Sequence, residues 1–234
     1  MEEEIQGHKV HDALANVNET IKATNSEFKL YQELQDLRSQ HKSWESIGDE
    51  YSKTAWNLDK WKFLPLLDEA LERMPAAKWY VFIEADTYLV WSNLLQWLSK
   101  FDSSQDLYLG GQSFLNDMAF AHGGTGYVLS NSALRKVVDD RAKRLDVYDK
   151  MTQDEWAGDF VLARALKNVG ISLTPSWPMA QGETPSSLDY SNRLWCYPVI
   201  SYHHMAASEI NEMWYFEQNW LAEAVRTPSL QAYQ

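Results

Sequence analysis

Four short stretches of this chain carry side chains suited to chemistry. The first is Trp79-Tyr80-Val81-Phe82-Ile83-Glu84-Ala85-Asp86-Thr87-Tyr88, an apolar run that stops at two carboxylates one residue apart. The apolar part reads as a fully buried, central strand of an α/β sheet, and such sheets gather their substrates at the carboxyl ends of strands. Strand periodicity puts Glu84 and Asp86 on the same side of the backbone. Two hard oxygen donors there suit a divalent cation such as Mn²⁺ or Mg²⁺, which also grips phosphate oxygens. The plainer alternative is an ordinary strand end followed by acidic loop residues.

The second stretch, Ala121-His122-Gly123-Gly124-Thr125-Gly126-Tyr127, lets the backbone approach a ligand closely. It is neither a Walker loop nor a dinucleotide fingerprint, and a hairpin turn is the competing reading. The third, Trp156-Ala157-Gly158-Asp159-Phe160, opens a helix. Asp159 there either complements the helix dipole or serves as a general base. Trp156 beside it offers a sugar platform or a piece of core. The fourth, Ser201-Tyr202-His203-His204, ends a strand in two histidines. Alternation along a strand lets only one of them face a site.

These stretches need elements to hold them. Residues 1–50 are polar, with weak helical periodicity at Leu30, Leu34 and Leu37, and residues 40–53 read as an exposed connection. Trp61, Leu64, Leu67, Leu71 and Met74 define an amphipathic helix, with Pro65 as a kink or restart and Pro75 as its stop. Further helices are predicted from a Ser92 cap through Phe101, from Ser130 or Asn131 to about Leu145, over 156–168 closing at Gly170, and from a Ser208 cap to about 224. Strands are predicted at 79–83, 107–109, 120–130 (with its glycine turn), 171–174 and 197–202. Alternation of the two types selects an α/β fold with a mixed sheet. The division expected is a helical and loop segment at 1–55, a core at 56–225 and a frayed tail at 226–234.

Composition narrows the function. At 234 residues and 45% apolar, the chain has ample material for a core. A net charge of −12 argues against a nucleic-acid backbone as partner, while an anionic substrate remains compatible if a metal mediates. Eleven tryptophans and twelve tyrosines suit the faces of sugar rings as well as a bulky core. Cys196 is the only cysteine, which excludes an intramolecular disulfide, and its aromatic setting reads as buried. Asn18-Glu19-Thr20 is an acceptor pattern for N-glycosylation. No apolar run is long enough to span a bilayer, and Met1-Glu2-Glu3-Glu4 is the opposite of a signal peptide.

Taken in order, Trp-Asn-x-x-Lys (56–60), Trp-Tyr-Val-Phe-Ile-Glu-Ala-Asp-Thr-Tyr (79–88), Gly-Gly-x-Gly-Tyr-Val-Leu-Ser (123–130), Gly-Asp-x-x-Leu (158–162) and Ser-Tyr-His (201–203) resemble glycosyltransferase family 31. The likeness is to its fungal members and to the core-1 β1,3-galactosyltransferase and Fringe branch. It implies a GT-A-like (Rossmann-like) fold, a UDP-sugar donor, Mn²⁺ (or Mg²⁺), inversion at the anomeric carbon and a Golgi lumenal setting. By the same resemblance Asp86 and Glu84 bind metal and donor, His203 completes the metal shell, and Asp159 is the base. The turn with Gly123 and Gly124 helps shape the donor and acceptor pocket, and Trp156, beside the base, is the candidate acceptor-sugar platform. Glu84 departs from the family's more usual aspartate, and Gly158-Asp159 from its Glu-Asp pair. The expected activity is transfer of a hexose, galactose in β1,3 linkage being the best-known case, to a glycan or glycoprotein acceptor. The family's membrane anchor and first strands would precede the region matching Met1, so an N-terminally truncated fold is expected. The alternative is a sugar-binding remnant without transfer activity. A two-metal phosphohydrolase is disfavoured for want of a second carboxylate–histidine cluster.

Overall fold

A computed structural model describes residues 4–42, 52–189, 191, 194 and 196–226. In chain order the elements are β1 (Glu4–Ile5), β2 (His8–Lys9), α1 (Glu19–Thr24), α2 (Lys29–Ser39), α3 (Ser52–Asp59), α4 (Phe63–Arg73), β3 (Trp79–Phe82), β4 (Tyr88–Leu89) and α5 (Trp91–Leu98). They continue with β5 (Tyr108–Gly110), β6 (Gln112–Leu115), β7 (Met118–Ala121), β8 (Tyr127–Ser130), α6 (Asn131–Lys143), α7 (Leu145–Asp154), α8 (Gly158–Asn168), β9 (Leu173–Pro175), β10 (Ser201–Tyr202) and α9 (Ala207–Arg226). Packing divides the chain into two compact units, one of residues 1–75 with 138–165, the other of 76–137 with 166–234.

The first unit is helical. Its core gathers Val17, Phe28, Leu30, Leu58 and Trp61, so the periodicity seen at Leu30 does mark a helix. A hairpin the sequence reading missed precedes it: β1 and β2 pair across Gln6-Gly7, both at positive φ, as a two-residue turn requires. Asn18, read as a glycosylation acceptor, caps α1 by accepting from Thr20 N–H at 2.8 Å. Pro65 sits in the first turn of α4, where its missing N–H leaves no intrahelical bond unmade. The break comes earlier, in a 3₁₀ turn at Lys60–Lys62. Met74 lies past the helix and is exposed, so it is not part of the apolar face. Helix α7 was also missed. Most of the 40–53 connection and the tail beyond 226 lie outside the described residues.

The second unit holds the mixed sheet that the alternation of elements predicts. Its strand order is β3-β8-β5-β9, antiparallel except for the parallel β5–β9 pair. This corrects the reading of residues 79–83 as a fully buried, central strand. β3 is at the edge of that order, three of its four residues are only half-buried, and Ile83 is 49% exposed. The buried interior belongs to β5 and β8. Leu94, Trp97 and Leu98 from α5 pack with Leu109, Val128, Ala180 and Ile200. Each of the buried Leu, Val and Ile side chains contributes roughly 1.5–3 kcal/mol through burial.

Several boundaries moved for identifiable reasons. Ser92 does not cap α5, which starts at Trp91; the preceding Val90 is held instead by its N–H on Ile200 O, 2.9 Å away. Ser208 lies inside α9, and the N–H of Ala206 is satisfied by Glu209 Oε2 at 2.8 Å. Ser130 does cap α6, accepting from Ala133 N–H. Gly170, at φ +82°, closes α8: its N–H and that of Ile171 reach back to Lys167 O and Leu166 O. The strand expected at 197–202 shrinks to Ser201–Tyr202, and Cys196, in the turn before it, is exposed rather than buried.

Candidate active site

β4 and β10 pair antiparallel, Tyr88 opposite Tyr202 and Leu89 opposite Ser201. That short ladder brings the acidic turn and the histidines together. β3 ends at Phe82, and the chain then turns, with Thr87 N–H donating to Glu84 O at 3.2 Å. Asp86 sits in this turn, so the two-residue periodicity that was to align it with Glu84 no longer operates. Its carbonyl accepts from Met205 N–H at 3.0 Å, which ties it to the segment after β10.

The glycine turn is the third partner. Thr87 Oγ1 donates to Gly124 O at 2.7 Å and Ser201 Oγ to Thr125 O at 2.6 Å. Both bonds fasten the turn beneath the histidines. A Cβ on Gly124 would fall 2.0 Å from His203 Nε2, so this position admits the imidazole only because it has no side chain. Gly123, its neighbour, is buried in the same turn.

Asp86, His203 and His204 each offer a ligand atom, and these lie within 4.8 Å of one another. His203 Nε2 is 3.5 Å and His204 Nδ1 3.9 Å from Asp86 Oδ2. The imidazole rings lie 3.8 Å apart between centroids, and His122 approaches His203 edge-on at 5.3 Å. Both histidines face the carboxylate, contrary to the expectation from strand alternation. β10 stops at Tyr202, and His204 takes a left-handed backbone, φ +58°, which swings its ring back. Glu84 is not in the group.

His203 is buried and its Nδ1 has no hydrogen-bond partner among the described residues. Burial lowers its pKa below the ordinary 6.5, the Asp86 carboxylate opposes, and His204 and His122 add to the lowering. A neutral imidazole is the form that ligates a metal. One carboxylate and two imidazoles suit a borderline divalent cation. The residues present therefore fit a divalent metal.

Asp159 and Trp156 belong to the first unit. Asp159, in the first turn of α8, accepts from Phe160 N–H at 2.8 Å. Trp156 stacks on Trp56, with centroids 5.3 Å apart and an angle of 26° between planes. Both rings are about half exposed, 49% for Trp56 and 51% for Trp156. Trp156 is therefore not a core residue. Buried Lys60 donates to Glu155 O and to Glu27 Oε1, each at 2.9 Å, which anchors the chain just before Trp156. At Gly158 a Cβ would meet Phe63 Cδ2 at 2.1 Å. The Trp-Asn-x-x-Lys pattern thus supports the segment bearing Asp159.

His204 and His122 were not singled out from the sequence. His204 was set aside by the alternation rule, and the signal for His122 was only its place before the glycines. Residues 14–214 match the family described as Fringe-like.

Proposed function

Because the chain belongs to the Fringe-like family, within the family 31 glycosyltransferases, we propose that it transfers a hexose from a UDP-sugar to a glycan or glycoprotein. Galactose in β1,3 linkage, with inversion, is the form proposed. The observation that carries the reading is the convergence of Asp86, His203 and His204 on one point at the end of the β4–β10 ladder. Mn²⁺ is the proposed cation, since a set containing two imidazoles suits it better than Mg²⁺. When bound, it would supply the positive charge that a leaving diphosphate needs.

The chain's own residues do the rest. Asp86, His203 and His204 hold the cation, and Glu84 is assigned to the donor side of the acidic turn. Gly124 leaves room for the His203 ring, and the turn at Gly123 and Gly124 is assigned to the donor pocket. Asp159 takes the proton of the acceptor hydroxyl as it attacks the anomeric carbon, a role for a carboxylate held at a helix start. Trp156, stacked and half-exposed, offers its face to an acceptor sugar. Among the described residues no helix is long and apolar enough to cross a membrane. A Golgi lumenal setting is proposed from the family.

Calorimetry with UDP in the presence and absence of Mn²⁺ tests the reading, together with transfer from UDP-galactose. Nucleotide binding that needs the metal and is lost in Asp86→Ala is expected. No metal-dependent nucleotide binding would leave only the sugar-binding alternative.

A further inference from the structure

On the face of the β4–β10 ladder lies a cavity of about 340 Å³, within the range of about 300–1,000 Å³ usual for small-molecule sites. Tyr88 and Tyr202, opposite one another in the ladder, form its floor, and Asn93 of α5 stands at its side. α9 closes it with Phe216, Glu217 and Trp220, which share one helix face through their three- and four-residue spacing. Asp86 is two residues from Tyr88, and His203 directly follows Tyr202. Both strands of its floor thus run on into segments that carry the metal group.

Its chemistry is selective. Phe216 is 60% and Trp220 39% exposed, so their rings present apolar faces to anything entering. Tyr88 Oη donates to Glu217 Oε2 at 2.6 Å, an arrangement that fixes the carboxylate. Burial and that carboxylate raise the Tyr88 pKa far above its ordinary value, so the phenol stays a donor. Glu217 Oε1 has no hydrogen-bond partner among the described residues. Among the described residues no Lys or Arg lines the cavity. An anionic ligand would meet the like charge of the Glu217 carboxylate, which repels it. A neutral ring with an apolar face and hydroxyl donors fits, since aromatic faces and a charged acceptor are what such a molecule can satisfy.

We propose that this cavity binds a neutral pyranose of the acceptor glycan, with Trp220 and Phe216 against its C–H face and Glu217 accepting from its hydroxyls. The assignment rests on the glycosyltransferase reading and adds to it a sugar subsite for the acceptor, besides the Trp156 platform, and the charge class of its occupant. It also separates the substrates: the anionic donor goes to the metal group, the neutral acceptor to the cavity.

Saturation-transfer NMR of lactose, N-acetyllactosamine and mannobiose, without donor or metal, tests it directly. At least one disaccharide is expected to bind, with affinity weakened about tenfold in Glu217→Gln and signal lost in Trp220→Ala. Both positions lie on an exposed helix face, and near-ultraviolet circular dichroism verifies that the fold persists. Mn²⁺ affinity should be unchanged in both variants. Binding by none of the three sugars, equal binding by the variants, or uptake of n-octanol in place of sugar would each overturn the assignment. Cavity-dependent sugar binding without metal-dependent UDP binding would sink the transferase reading and leave the cavity assignment standing. Transfer with an unchanged acceptor KM in Trp220→Ala would do the reverse.

Discussion

Replacing Gly124 with alanine tests the metal group without removing any of its members. The new Cβ would lie 2.0 Å from His203 Nε2, 2.2 Å from Cε1 and 2.6 Å from Cδ2, whereas ordinary contact begins at 3.4 Å. The ring must retreat by well over an ångström. It has little room, because His204 stacks at 3.8 Å and His122 closes the edge at 5.3 Å. The backbone at Gly124 lies outside the left-handed region, so alanine is conformationally acceptable and the effect is steric alone. Overpacking of this kind costs about 1–3 kcal/mol of stability. Ligand distances tolerate only about 0.2 Å, so affinity for Mn²⁺ should fall by about 10- to 100-fold. Calorimetric Mn²⁺ titration and thermal unfolding read the two effects separately. Gly182→Ala is the control, its nearest neighbour being Thr125 Cγ2 at 4.0 Å. Removing the ring as well, in Gly124→Ala/His203→Ala, should restore most of the lost stability while leaving Mn²⁺ unbound. Wild-type Mn²⁺ affinity in a folded Gly124→Ala protein would refute the placement of His203 in the metal group.

Further substitutions separate the remaining roles. Asp86→Asn should abolish Mn²⁺ binding and metal-dependent UDP binding together, as followed by calorimetry. Asp159→Asn should keep UDP binding and lower the transfer rate by about 10²-fold or more; an unchanged rate in a radiolabelled-sugar assay would remove it from the base role. Lys60→Met breaks a buried pair with Glu27 and the bond to Glu155 O, and chemical denaturation should register a loss of roughly 3 kcal/mol. Adding Glu27→Gln should recover part of that loss. Tyr31 has its pKa raised from 10.0 to about 12, by burial and by its hydrogen bond to Asp12. The folded state thus holds this proton more tightly than the unfolded one. The stability it confers is complete below pH 10 and is lost as pH rises through about 12. Tyr31→Phe should remove that step from the alkaline unfolding profile.

What the sequence revealed depended on how local the governing interaction is. Helices with strong periodicity, such as α4 and α8, were legible because burial of one face follows from spacing alone. The two-residue β1 and β2 were not, since a hairpin that short has no hydrophobic pattern and rests on the Gln6-Gly7 turn. The buried character of 79–83 was overread. Aromatic and branched residues make a strand, but the position of that strand in the sheet comes from pairing with β8 on one side only. Cys196 followed the same error, because apolar neighbours in sequence do not guarantee neighbours in space.

The metal group shows the limit most sharply. Asp86 was legible as a carboxylate closing an apolar run, and His203 was picked out by the resemblance to family 31. Strand alternation, which lets only one of two consecutive histidines face a site, then left His204 out. Alternation holds only while the backbone stays extended, and here it fails at both ends of the ladder. The chain turns before Asp86 can share a face with Glu84, and the left-handed residue His204 folds its ring onto that of His203. A site at the ends of strands is made by the residues that leave the strand. Their directions are set by turns and by tethers such as Thr87 to Gly124 O and Met205 to Asp86 O. Those tethers join positions tens to more than a hundred residues apart, a range that no periodic pattern encodes. Weakening one of them, as in Thr87→Val, should therefore loosen Mn²⁺ binding without touching a ligand.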